Sequence, residues 1–329
     1  MKFDIVSIGS AMKDIFLLSD RGKIFHTPKD KLAQEWLGFE LGEKICVDEE
    51  YECLGGVASS LSVGTRKLGL KSTLVSSIPG NYEWVAGELK KNGVDVSFIS
   101  PVIPQKLSLS IIVVDKKTGE RVIFYNHDSG HIGLNFKKLP LSRYYTVSSL
   151  TGPWTKKILG IIPHIEKQKG KIILLPSTNQ IRNNFSDFKK LLKGSEIIIL
   201  NRNEAVEIAV NAKSKKFDIA GLIELIRNLG PKIIVVTDGL NGAWASDDSQ
   251  FLFAPVIKVK SVDTTGAGDA FAGGFLGYFI KGHRLEECLK AGIINGASVV
   301  RYPGITKGLL KKNEIVKQLK SVKVKRLQN

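Results

Sequence analysis

"VDTTGAGDAF", Val262–Phe271, sets an ionisable carboxylate directly behind the most permissive backbone a chain can make. A turn needs one glycine and a helix start needs one cap. Here Asp263-Thr264-Thr265 is followed by Gly266-Ala267-Gly268 and then by Asp269 at the head of an apolar run. Phe271, Phe275 and Phe279 recur at i, i+4 and i+8, so "GDAFAGGFLGYFIKG" (268–282) reads as a helix with one aromatic face. Successive free N–H groups at the mouth of a helix converge on an anion, and the helix dipole adds partial positive charge there. Gly266, Ala267 and Gly268 are spaced to supply those groups. Asp269 also has an ordinary reading, as a first-turn residue that the dipole favours, but that reading requires neither the Gly-Ala-Gly nor the threonines before it. An anion hole beside a carboxylate suits phosphoryl transfer to an alcohol. The N–H groups would hold charge on the moving phosphoryl, and Asp269 would accept the hydroxyl proton. A carboxyl with the usual pKa of ~3.9 is ionised at neutral pH and available for that task.

Outward from this stretch, short β-branched runs alternate with helical patterns. "FDIVSIG" (3–9), "STLVSSI" (72–78), "LSIIVVD" (109–115), "RVIFYN" (121–126), "YYTVSSL" (144–150), "KIILLPS" (171–177), "EIIILN" (196–201) and "KIIVVTDG" (232–239) read as strands. "ASSLSVGTRKLG" (58–69), "EWVAGELKKNG" (83–93), "KKILGIIPHIEKQKG" (156–170) and "IAGLIELIRNLG" (219–230) read as helices between them. That rhythm predicts βαβ units and an α/β fold with a mostly parallel, doubly wound sheet. Two regions break it. Residues 15–50 lack helical pattern, and 103–126 read as a hairpin turning at "DKKTGER". The expectation is one domain over 1–329 with a small β-rich lid formed by about 15–50 and 103–128.

Composition narrows the function. Hydrophobic residues make up 43% and charged residues 24%, an ordinary globular balance. Cys46, Cys53 and Cys288 form no C-x-x-C pair, which points to a reducing cytoplasm and to three small buried residues rather than a disulfide framework. Neither a secretory leader nor a membrane-length apolar run is present, so no membrane association is expected. The net charge of +16 invites nucleic acid as a partner, but the lysines are spread along the chain and no nucleic-acid module is recognisable. The densest lysine cluster is the C-terminal "LLKKNEIVKQLKSVKVKRLQN", with Ile315, Leu319 and Val322 at helical spacing. It reads as an amphipathic surface helix followed by a frayed basic end.

Other candidates lie where strands end, as sites in open α/β sheets do. Asp14 in "GSAMKD" reads by itself as a turn or cap aspartate. Gly55-Gly56 reads as a tight turn or as a place where a ligand approaches backbone. Asn201 and Glu204 in "NRNEA" read equally as a capping box or as oxygens for hydrated Mg²⁺. Thr237 and Gly239 in "TDGLNGA" read as a hairpin turn or a nucleotide contact. No P-loop, no G-x-G-x-x-G dinucleotide motif and no zinc spacing among His26, His127, His131, His164 and His283 is present. His127 and His131 read as surface loop residues.

These residues together resemble the ribokinase-like (PfkB) carbohydrate kinases. "DTTGAGDAFAGGF" (263–275) is similar to their C-terminal signature nearly letter for letter, "GGVASSLSVGTRKLG" (55–69) to the N-terminal glycine pair, "NRNEA" to N-x-x-E, and "TDGLNGA" to the nucleotide-side strand end. The resemblance spans essentially the whole chain. It implies a three-layer α/β/α sandwich with a β lid, ATP as donor and Mg²⁺ as cofactor. It implies Asp269 as base, Gly266–Gly268 as anion hole, and Asn201 with Glu204 at the Mg²⁺–phosphate end. Asp14, Gly55, Gly56 and the position of Ser60 would meet the substrate, and Thr237, Gly239 and the helix around Asn295 would lie along the nucleotide. Many such kinases take an activating K⁺ near the equivalents of Asp263 and Thr265 and pair through their lids as homodimers. Both are expectations here. Ser60 departs from the family's usual asparagine, and Asp238 from a usual apolar residue, which opens the question of substrate. A sugar or sugar-like alcohol is the first expectation. A nucleoside, with Phe16, Phe39, Phe124 or Trp154 as candidates to line a base slot, is the second. A non-catalytic binding protein would require a damaged base motif, and Asp269 and its glycines are intact.

Overall fold

The computed structural model of the chain describes residues 2–27, 35–102, 109–125, 139–150 and 154–328. The chain enters through β1 (Phe3–Ile8) and passes into β2 (Met12–Ser19), β3 (Lys23–His26), β4 (Glu35–Gly38) and β5 (Glu49–Gly55). Helix α1 (Val57–Lys67), β6 (Ser72–Pro79), α2 (Tyr82–Lys91) and β7 (Ile99–Val102) follow, then the hairpin β8 (Leu109–Asp115) and β9 (Arg121–Tyr125). Next come β10 (Ser142–Val147), α3 (Trp154–Lys167), β11 (Lys171–Leu174), α4 (Thr178–Asn183), α5 (Phe185–Lys193) and β12 (Ser195–Asn201). The last third holds α6 (Arg202–Asn211), α7 (Ile219–Asn228), β13 (Ile233–Thr237), β14 (Ala243–Ser246), β15 (Phe251–Ala254), α8 (Ala267–Ile280), α9 (Leu285–Val299), α10 (Lys312–Gln318) and β16 (Lys325–Leu327).

Among the described residues a ten-stranded sheet runs β16-β15-β14-β13-β12-β11-β10-β1-β6-β7. It is parallel from β7 to β13 and antiparallel from β13 to β16. Its parallel strands read as apolar runs because helices cover both faces. On one face, Ile158 and Ile161 of α3, Leu191 of α5, Ile208 of α6 and Ile226 of α7 pack over Val6, Ile198 and Val236. On the other, Leu61 of α1, Phe275 of α8 and Leu289 of α9 pack over Ile5, Ile199 and Val235. Each such side chain removed from water contributes about 1.5–3 kcal/mol. Strand order reverses at β1, whose neighbours are β6 and β10, and that is the switch point where the crevice of a doubly wound sheet opens.

A second sheet, β5-β2-β8-β9, stands apart, and β3 pairs with β4 separately. The four-stranded sheet has its own small core of Phe16, Leu18, Ile112 and Val114, with the Tyr51 ring stacked on Phe16 at 4.7 Å. Phe16 is therefore core and not a base slot, while Phe39 and Phe124 are exposed. The Trp154 side chain, His127, His131, and residues 28–34, 103–108 and 126–128 of the expected lid lie outside the described residues.

Helix α8 is apolar all round because it is enclosed by the sheet, α1 and α9. Glycine costs a helix about 1 kcal/mol per residue, yet α8 carries four, and two of them admit a neighbour that a side chain would displace. A Cβ on Gly274 would sit 2.5 Å from the Ala291 carbonyl oxygen of α9, and one on Gly277 would run into Leu68, whereas one on Gly273 would make an ordinary contact of 3.6 Å with the Gly64 Cα of α1. The Phe271, Phe275 and Phe279 rings stack in series at 6.2 and 6.4 Å, as the spacing predicts.

Two expectations are corrected. The basic C-terminus is not frayed: Ile315 and Val322 are buried, and Lys325–Leu327 pairs with β15, adding a charged edge to the sheet. Strand pairing supplies backbone partners that a sequence pattern for a helix does not reveal. Cys46 is exposed and Cys53 half-buried, and only Cys288 is a buried apolar residue. No helix among the described residues is long and apolar enough to cross a membrane. The glycine contacts predict opposite outcomes at two positions. Gly274→Ala should destabilise by about 1–3 kcal/mol through overpacking. Gly87→Ala on α2, where a Cβ meets nothing within 4 Å, should stabilise by about 0.4–1 kcal/mol. Paired thermal melts check this, and shifts of the same sign would contradict it.

Candidate active site

Asp14 is neither a turn nor a cap residue. It sits inside β2, paired across the ladders with Cys53 of β5 and Ser110 of β8, and is 5% exposed. Ser110 Oγ donates to its Oδ1. Burial, and secondarily the charges of Asp269 and Asp263, push its carboxyl up to about 7. Gly55 makes this arrangement possible, because a Cβ there would occupy the space of the Asp14 carboxylate at 2.1 Å. Gly56, at φ 92°, then turns the chain into α1 against the Ser10 carbonyl.

Two contacts fix the register between α1 and α8: Gly64 against Gly273, then Leu68 against Gly277 four residues on in both helices. The helices are therefore parallel. Ser60 is buried, and its Oγ has no partner among the described residues. Burial pushes the Asp269 carboxyl up to about 6, against a lowering influence from the Arg121 guanidinium.

The signature loop is held from below by Asp263. Its Oδ1 accepts from the Thr265 N–H at 2.8 Å and its Oδ2 from the Gly304 N–H at 3.0 Å, with Tyr51 Oη donating to the same oxygen at 3.4 Å. Gly266 caps α8 in the left-handed region at φ 77°, and the Ala267 N–H donates to the Thr264 carbonyl at 3.4 Å. A Cβ on Gly268 would meet nothing within 4 Å, so open space lies over that first turn. Thr265 Oγ1 is buried without a partner among the described residues, while both Asp263 oxygens are already engaged.

Asn201 and Glu204 form the capping box of α6: Asn201 Oδ1 accepts from the Glu204 N–H at 2.9 Å, and Glu204 Oε2 from the Asn201 N–H at 2.8 Å. Glu204 is also pushed up to about 7, by burial first and then by the charge of Asp269. Half-buried at the surface, it keeps a carboxylate oxygen outside the cap, which fits a hydrated Mg²⁺ that needs few protein oxygens. Among the described residues no cluster of three or more metal-ligating side chains exists. Thr237 is the ladder partner of Asn201 and of Ala243, so the β13–β14 hairpin, with Gly239 open at its tip, borders the same edge. Asn295 is different. Its Nδ2 donates to the Ala270 carbonyl at 2.7 Å and its Oδ1 accepts from the Leu310 N–H at 3.0 Å, inside the protein. Its side chain braces α8 against α9 and the 304–311 loop.

The sequence reading missed Ser110, Arg121 and Tyr51, which come from the small sheet and act on residues 96, 143 and 212 positions away. "DKKTGER" marked a turn, but nothing in it marked its arginine as a site residue. The raised Asp14 carboxyl has a stability consequence. A folded-state pKa above the unfolded value means stability that is present below pH ~3.9 and lost as pH rises through about 7. Asp14→Asn, which keeps the acceptor for Ser110, should raise stability at pH 8 by on the order of 2–4 kcal/mol and leave it unchanged at pH 3.5. Denaturant melts at both pH values measure this.

Against this geometry, comparison with known proteins is specific. The profile described as "pfkB family carbohydrate kinase" matches residues 32–312. An ATP-dependent 6-phosphofructokinase of Thermoanaerobacterium thermosaccharolyticum is 22% identical, covering 92% of this chain and 89% of its own. A cytidine kinase of Thermococcus kodakarensis is 24% identical over 76% of this chain and 87% of its own. The structure of Arabidopsis thaliana ribokinase complexed with ribose and ATP superposes with a TM-score of 0.74 at 20% identity, covering 97% of this chain and 99% of that one. The fold is thus the ribokinase fold, and the chain belongs to the pfkB family of carbohydrate kinases.

Proposed function

We propose that this ATP-dependent carbohydrate kinase phosphorylates a hydroxymethyl group of a sugar or sugar-like molecule, with Asp269 as the base. The reading is supported by a buried Asp14 that is held by Ser110 and lies within range of the Asp269 charge, and by the open space over the first turn of α8 at Gly268. Ser60, at the start of α1, adds a buried hydroxyl without a partner among the described residues. Polar groups that are buried and incompletely partnered suit a polyhydroxylated ligand, whose hydroxyls both donate and accept.

In this reading Asp14 accepts from substrate hydroxyls and orients the acceptor. Asp269 takes the proton of the reacting hydroxyl as its oxygen forms the new bond to the γ-phosphorus and the bond to the ADP oxygen breaks. The N–H groups of Gly266, Ala267 and Gly268 stabilise the charge that builds on the phosphoryl oxygens. Asn201 and Glu204 would hold Mg²⁺ through water, and the ion would neutralise phosphate charge when bound. Thr237 and Gly239 would lie along the nucleotide. The orphaned Thr265 hydroxyl is the oxygen left to take a K⁺ ion.

A carboxyl at about 6 is a stronger base than an ordinary aspartate and is still mostly ionised at pH 7. Activity should rise with pH through about 6, because only the ionised Asp269 accepts a proton. Asp269→Asn should lower kcat by ~10²–10⁴-fold and abolish that limb. The measurement is ATP-dependent phosphorylation of a panel of sugars and nucleosides over pH 5–9. Equal turnover by the variant would remove Asp269 from the role, and turnover of nucleosides alone would replace the sugar reading. Ser60→Asn should narrow the set of acceptors that wild type turns over, since a longer side chain then fills more of the space at the start of α1.

A further inference from the structure

We propose that Tyr51 is a positioning residue for phosphoryl transfer: acting through Asp263, its hydroxyl ties the signature loop at the start of α8 to the strands that carry Asp14. This rests on the phosphotransfer reading and adds to it the link between the substrate end and the phosphoryl end.

Asp14 on β2 lies opposite Cys53 of β5, and Phe16, two residues on, lies opposite Tyr51. Directly opposed residues share one face of a sheet, so Cys53 and Tyr51 stand on the Asp14 side. From that face β5 meets two segments of the α/β body. Tyr51 Oη donates to Asp263 Oδ2 at 3.4 Å, and the same oxygen accepts from the Gly304 N–H at 3.0 Å. A Cβ on Gly304, which has φ 80°, would stand 3.1 Å from Cys53 Sγ and 3.9 Å from the Tyr51 ring. Ile305, the next residue, lies over the cap of α8, where a Cβ on Gly266 would be 2.7 Å from its Cγ2. Two chains of contact therefore run from the strand beside Asp14 to the cap of α8. One passes through Cys53, Gly304 and Ile305. The other passes through Tyr51 and Asp263 to the Thr265 N–H, which donates to Asp263 Oδ1 at 2.8 Å.

The second chain hangs on a single hydroxyl. The Tyr51 ring is already held by stacking on Phe16 at 4.7 Å. A phenylalanine would pack there equally well, so the hydroxyl serves the loop and not the core of the small sheet. Burial, and then the charge of Asp263, push that hydroxyl above its ordinary pKa, which keeps it a donor at neutral pH. Its acceptor is a carboxylate 1% exposed, where a charge-assisted hydrogen bond is stronger than a neutral one. In the phosphotransfer reading Asp14 holds the acceptor and the Gly266–Gly268 N–H groups hold the phosphoryl, from two different sheets. A misplacement of about 1 Å between reacting groups costs on the order of 10²-fold in rate. Tyr51 takes no proton and touches no substrate. It holds the loop that does.

The test is a double-variant cycle in the full chain, with wild type, Tyr51→Phe, Asp263→Asn and the pair, using the acceptor found in the panel. Thermal melts establish that each protein is folded at the assay temperature. Tyr51→Phe should lower kcat by ~10–100-fold with the KM for ATP and for the acceptor changed by less than about threefold. In the Asp263→Asn background the same substitution should cost less than about threefold, because the oxygen it acts on is already altered. A kcat loss under about threefold, a loss carried by KM, or losses that multiply in the double variant would overturn the proposal. If Asp263→Asn is unfolded or inactive, amide hydrogen exchange of Tyr51→Phe takes the place of the cycle. Exchange at the Thr265 and Gly304 amides should quicken at least about tenfold while that of β2 and β8 stays as in wild type. Unchanged or uniformly faster exchange would overturn the proposal. If wild type phosphorylates no acceptor, the kinase reading fails by itself, and the exchange comparison decides separately whether Tyr51 holds the loop.

Discussion

The contact of Gly64 on α1 with Gly273 on α8 is the constraint on which the site depends. Small residues on both helices let them approach closely, a Cβ at either position standing 3.6 Å from the other helix's Cα. Each helix begins with a glycine in the left-handed region, Gly56 for α1 and Gly266 for α8. Locking their register therefore locks the Gly55-Gly56 turn to the signature loop. Asn295 supports the same unit from α9 by bonding the Ala270 carbonyl in the first turns of α8.

The electrostatics of the crevice run against stability. Asp14 and Glu204 are raised to about 7 and Asp269 to about 6, in each case chiefly by removal from water. A protein selected for stability alone would replace such groups. Their retention is understandable where catalysis needs a base stronger than an exposed aspartate and where a cation and a polyhydroxylated ligand complete the charges and hydrogen bonds. Asp263 is the contrast within the same loop. Its two oxygens are held by backbone N–H groups of Thr265 and Gly304, so it shapes the loop and does no exchange with solvent.

The small sheet is more than a cover. Ser110 orients Asp14, Tyr51 reaches Asp263, and Arg121 meets Thr264, so three of its strands each place one polar group on the crevice. Its own core of Phe16, Leu18, Ile112 and Val114 makes it a rigid carrier for those groups. Ligand-dependent movement of this sheet would thus alter the substrate end and the phosphoryl end together.

The sequence by itself determined the α/β rhythm, the parallel sheet with both faces covered, the helix of Phe271, Phe275 and Phe279, and the Gly-Ala-Gly-Asp mouth of α8. These are local properties: periodicity records which faces are buried, and glycine records where backbone must turn or be approached. It left Asn201 and Glu204 divided between cap and metal ligand, and the structure has the cap without removing the free carboxylate oxygen. Only the tertiary structure decided that Asp14 is a buried strand residue, that the Asn295 side chain is turned inward, that the basic C-terminus adds β16 to the sheet, and that Arg121 bonds Thr264 of the signature loop. Each of these depends on strand register or helix packing between segments far apart in the chain. No single segment encodes the identity of its distant partner, so a local pattern could not reveal them.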